Sequence, residues 1–136
     1  MRRFQFFLAV ILFIFPLSVG AAGEEGKFVA SVDKNGVQRV EIIAGRYYFH
    51  PNYMVVKANV PVEINIRKEP EMVPHDFVLK APEAGIDIFQ SLSSEPSIIR
   101  FTALKPGKYL FYCDRKFLFF KSHKEQGMEG VLEVTP

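Results

Sequence analysis

Residues 62–67 read Val-Glu-Ile-Asn-Ile-Arg, with apolar and polar positions in strict alternation. Successive side chains of a strand point to opposite faces, so this period of two predicts a strand with one buried and one wet face. That is the pattern expected of an antiparallel sandwich strand. Segments rich in β-branched and aromatic residues at 37–44, 47–49, 53–58, 60–67, 77–80, 97–102, 109–112 and 130–134 predict further strands. Residues 28–32 followed by Asp33-Lys34-Asn35-Gly36 predict a strand and a tight turn that pair with 37–44 as a hairpin. Residues 86–89 form a further short candidate element, whereas 81–96 as a whole, with its prolines and serines, carries the weakest pattern. No long amphipathic helix and no internal repeat interrupts this series. An all-β fold is expected, a β-sandwich of seven or eight strands.

The N-terminus has a different pattern. Arg2 and Arg3 precede an apolar run over 4–17, and small residues follow over 18–23. The run is shorter than the ~20 residues a membrane-spanning helix needs. Residues 1–22 are therefore expected to be a secretory signal peptide and 23–136 a single domain. An uncleaved anchor is the alternative. The chain carries 17 basic and 15 acidic residues, a net charge of +2. Taking away Arg2 and Arg3 balances the mature chain. No basic stripe, zinc-finger spacing or phosphate-binding glycine loop is present, so a nucleic-acid partner is not expected.

Export changes the meaning of the one cysteine, Cys113. No intramolecular disulfide can form, so the thiol is buried and inert, pairs with another chain, or is protected by a ligand. His123 and Met128 follow it closely, and His75 stands between Pro74 and an apolar strand. A thiolate, two imidazoles and a thioether are a soft donor set that suits copper better than magnesium or calcium. Taken singly, His75 also reads as a turn histidine, His123 as a solvated loop residue and Met128 as core filler. Met72 is a reserve thioether near His75, and His50, before Pro51, reads as a turn residue.

Pro74-His75-Asp76 before an apolar run is followed by Tyr109-x-x-Tyr112-Cys113, by His123 and Met128, and by Gly130-x-Leu132-x-Val134. This joint pattern, over residues 37–134, resembles the cupredoxins, the small blue-copper proteins of plastocyanin and azurin type. The resemblance implies a two-sheet Greek-key fold and one type 1 copper ion held by His75, Cys113 and His123, with Met128 as the axial ligand. Two features depart from it. Asp76 stands where cupredoxins commonly have asparagine, and the nine residues between Cys113 and His123 make a longer loop than plastocyanins or azurins use. A carboxylate beside the thiolate favours Cu(II), so Asp76 is expected to lower the reduction potential.

The function implied is that of an exported one-electron carrier, most naturally in a bacterial periplasm, monomeric and meeting redox protein partners transiently. The alternative is a carrier or buffer that holds Cu(I) for delivery or tolerance. An enzyme is not expected: three histidines cannot supply a second type of copper centre, and one cysteine cannot bridge a dinuclear one. The mature domain is not expected to insert into a membrane. Phe117, Leu118, Phe119 and Phe120, flanked by Arg115, Lys116 and Lys121, form a candidate partner surface. Packing of these four on the end of the sandwich is the plainer alternative.

Overall fold

The computed structural model describes residues 26–136, so the expected leader over 1–22 lies outside the described residues. Ten strands follow in chain order: β1 (Lys27–Val29), β2 (Gln38–Gly45), β3 (Tyr48–His50), β4 (Tyr53–Lys57), β5 (Pro61–Lys68), β6 (His75–Ala81), β7 (Ile86–Leu92), β8 (Ser97–Thr102), β9 (Gly107–Tyr112) and β10 (Glu129–Thr135). They form a six-stranded sheet in the order β1-β4-β10-β9-β6-β7 and a four-stranded sheet in the order β3-β2-β5-β8. The all-β sandwich is as expected. The count exceeds seven or eight because the chain also makes two three-residue pieces, β1 and β3.

The core between the sheets follows from the alternation. In β5 Val62, Ile64 and Ile66 are buried while their neighbours are partly wet. The same period puts Val40 and Ile42 of β2, Met54 and Val56 of β4, and Leu132 and Val134 of β10 inside. Phe77 of β6 and Phe111 of β9 lie 5.2 Å apart, centroid to centroid, and Phe49 meets both edge-on. Aromatic pairs in these tilted and T-shaped arrangements add specificity to the area they bury.

Two local expectations are corrected. β5 is antiparallel to β8 but parallel to β2. Alternation reports that one face is buried, and it is blind to the direction of the neighbouring strand. The expected hairpin over 28–44 shrinks to a single bridge between Val32 and Gln38. The turn itself forms: Asp33 accepts from the Asn35 and Val37 amides, and Gly36 takes a positive φ of 75°. Residues 27–29 instead pair in parallel with β4 in the opposite sheet, where they cover an edge.

Candidate metal centre

Three adjacent strands of the larger sheet begin or end at one pole. β6 starts at His75, and β9 ends at Tyr112, directly opposite Val78 of β6 and Glu129 of β10. His75, Cys113 and Met128 therefore arrive together, although they are far apart in sequence. The Cys113 amide donates to the Met128 carbonyl at 3.1 Å, and the Met128 amide donates to the His123 carbonyl at 2.9 Å. His123 is fixed by its own loop. Ser122 and Glu125 exchange side-chain to backbone hydrogen bonds at 2.7 and 3.2 Å, a reciprocal box at the head of a short helical turn. The His123 amide also donates to the Arg115 carbonyl at 2.8 Å.

The donor atoms converge. His75 Nδ1 and His123 Nδ1 are 3.2 Å apart, and Cys113 Sγ is 3.5 Å from His123 Nδ1. One ligand-type atom from each of the three residues lies within 4.8 Å of the other two, and all three residues are buried. Met128, five residues after His123, is fully buried, whereas Met72 is fully exposed. His50 lies elsewhere, beside a surface hollow with Gly26 and Asn52.

Two side chains that sequence reasoning missed hold the cluster. Glu71 Oε1 lies 2.7 Å from His75 Nε2. With Nε2–H donating to this carboxylate, the neutral His75 ring presents its Nδ1 lone pair to the cluster. Lys68 Nζ donates to the Glu71 carbonyl and steadies that loop. Arg115 is the second. Its Nε approaches Asp76 Oδ2 to 2.9 Å as an ion pair without the alignment of a hydrogen bond. The Asp76 carboxylate is itself buried. Its Oδ1 accepts from the Asp114 amide at 2.7 Å, and the Asp76 amide donates to Cys113 Sγ at 3.3 Å. Asp76 thus ties β6 to the chain after Cys113, and Arg115 offsets its charge. Tyr47, in a left-handed conformation with φ 64°, sets its ring edge against His123 at 5.1 Å. No spacing rule marks these three, because loops bring them in. The nearest signal was that Glu71 precedes His75 by four residues in a loop bounded by two prolines.

Burial governs the protonation states. It pushes the Cys113 thiol up to about 11, against the pull of backbone N–H groups from Asp76 and Arg115, and the Asp76 carboxylate adds to the rise. Burial also depresses His123, helped by neighbouring His75. The pocket therefore favours neutral groups. A metal ion is what would make the thiolate stable there.

Phe117, Leu118, Phe119 and Phe120 do not pack on the sandwich end. They are 67%, 64%, 94% and 65% exposed, which leaves them available as a surface. Among the described residues no helix is long and apolar enough to cross a membrane.

Residues 6–132 match the family model described as a cupredoxin-like domain. Among curated proteins none matches the chain in sequence. Solved structures similar to this one include the metal binding domain of the Cu(I) exporting P-type ATPase CopA of Streptococcus pneumoniae D39 with Cu(I). It is 24% identical with a TM-score of 0.61, over 84% of this chain and 100% of that one. A copper binding protein in its apo form is 22% identical with a TM-score of 0.59, over 79% and 96% of the respective chains. Auracyanin A, a blue copper protein of Chloroflexus aurantiacus, is 21% identical with a TM-score of 0.55, over 74% and 100%.

Proposed function

Because the chain belongs to the cupredoxin-like domain family, we propose that it is an exported, mononuclear type 1 copper protein that carries single electrons between redox protein partners. The observation that carries this is the convergence of two imidazole Nδ1 atoms and one thiol sulfur in a buried pocket. That donor set fits copper, which His75, Cys113 and His123 would hold, and the buried thioether of Met128 would offer a further, weak ligand. Bound there, copper supplies a one-electron couple between Cu(II) and Cu(I).

The protein's own groups do the rest. Glu71 orients His75, the Asp76 amide donates to the Cys113 sulfur, and the box of Ser122 and Glu125 holds His123. Ligands fixed before the ion arrives change little between its two charge states, so the reorganisation that slows electron transfer is small. The leader pattern over 1–22 supports the export in this reading, with the periplasm as its natural compartment.

One observation favours a second reading, carriage of Cu(I) for delivery or tolerance. The exposed thioether of Met72 shares a cleft with His123, where a soft ion could be handed on, and the similar pneumococcal domain is described with Cu(I). The deciding experiment adds Cu(II) to the protein and to C113S and records visible absorption and paramagnetic resonance. An intense thiolate charge-transfer band, lost in C113S, is expected of the electron carrier. No band together with tight Cu(I) binding would transfer the assignment to copper carriage.

A further inference from the structure

Two loops stand out from the ligand-bearing pole. Phe119 is 94% exposed and Met72 is 100% exposed, and their loops face each other across a cleft lined by Tyr47, Met72, Pro74, Lys116, Phe117 and His123. The chain turns at the tip, where the Phe120 amide donates to the Phe117 carbonyl at 3.1 Å and Leu118 takes a φ of 48°. The Phe117 and Phe120 rings stack 6.2 Å apart. A left-handed conformation is sterically disfavoured for a bulky residue. Here the result is that all four apolar side chains stay in water rather than on the core.

Lys116 and Lys121 bracket this tip directly, and residues 114–125 carry four cations against two carboxylates. Arg115 is committed to Asp76, so the lysines carry the excess. Glu125 is tied to Ser122 and also feels the charges of Lys116 and Lys121, so it offsets only part of them.

We propose that this pole docks on an anionic lipid surface, with Phe117, Leu118, Phe119, Phe120 and Met72 entering the headgroup region and Lys116 and Lys121 meeting the lipid phosphates. Shape favours lipid over a protein partner. A protein interface core needs close shape complementarity, and Phe119 and Met72, almost fully exposed at the two loop tips, offer little fixed surface to match. A fluid apolar phase needs none. Aromatic residues flanked by long cationic stems suit the interface between water and hydrocarbon, where the stems lie along apolar surface and the charges stay wet. The contact lies on the surface and does not span. It would also turn the donor cluster toward the bilayer and toward any redox centre embedded in it.

The contact needs no copper, so its test is independent of the copper reading. The chain contains no tryptophan, and F119W therefore places a single reporter at the exposed tip whatever the N-terminus does. Its emission is measured with vesicles of phosphatidylcholine, with and without phosphatidylglycerol, and with brominated lipid as quencher. A blue shift and quenching that require phosphatidylglycerol are expected. Affinity should fall about fivefold for each lysine removed in K116S and K121S. Emission that ignores vesicles, or quenching indifferent to both lipid charge and the lysines, overturns the proposal. A blue shift that grows with protein concentration in the absence of lipid overturns it in favour of a second copy of the chain.

Discussion

At the scale of single residues, charge near the Cys113 sulfur is set by a pair, Asp76 and Arg115. The Asp76 amide donates to Sγ while its carboxylate faces Arg115 Nε at 2.9 Å. A unit charge several ångströms from the metal, at an effective dielectric constant of about 20, is worth roughly 2 kcal/mol. D76N removes the negative partner and leaves Arg115 beside the thiolate, so the reduction potential should rise. R115Q leaves the carboxylate uncompensated, and the potential should fall. The double variant should return close to the parent, and voltammetry of the four proteins would read this as a cycle. A potential that is unchanged or lower in D76N would sink the argument. Glu71 acts through its bond to His75 Nε2. Outer partners of ligating histidines typically matter by 10–100-fold in metal affinity, and E71A should weaken copper binding by that order in a chelator competition.

The elements around the site leave little slack. Gly130 is the second residue of β10, two after Met128, and a methyl group there would collide with Phe111 Cζ and the Asn52 carbonyl. Phe111 is a fully buried member of the aromatic cluster, and Asn52 accepts from the Val131 amide. Neither can step aside freely. G130A should therefore cost about 1–3 kcal/mol in urea denaturation, the range for overpacking a filled core, and should also loosen the approach of Met128. An unchanged midpoint would mean that the start of β10 shifts more easily than this packing implies.

For the whole molecule, metal binding and protonation are linked. The sandwich buries the Cys113 thiol and pushes it up to about 11, so at neutral pH a copper ion must displace its proton. Burial depresses His123, and that ring does not compete as a proton acceptor above neutrality. The apparent copper affinity should therefore rise about tenfold per pH unit from about pH 7 to pH 9, levelling only as the thiol itself ionises. A flat profile would show that Cys113 is not the titrating ligand. The same linkage makes bound copper a stabiliser by about 4 kcal/mol at a thousandfold excess over Kd. Chelation should lower the melting temperature of the parent and leave that of C113S nearly unchanged.

The sequence alone determined most of the strands and, where it alternates, which face is buried, while β7 lay in the stretch with the weakest pattern. Alternation at residues 62–67 and aromatic or β-branched density elsewhere are local properties, written at the spacing that a strand requires. It also marked His75, Cys113, His123 and Met128, because donor chemistry and spacing along the chain are legible without coordinates. The partners of the strands were not legible. Residues 27–29 left the hairpin that Asp33 to Gly36 announced, and β5 took a parallel neighbour, since pairing is decided by which distant edge is free. Tertiary structure alone brought Glu71 to His75, Arg115 to Asp76 and Tyr47 to His123. It also kept four apolar side chains of one loop in water. Contacts between loops depend on where a closed sandwich delivers their ends, and no period in the chain records that.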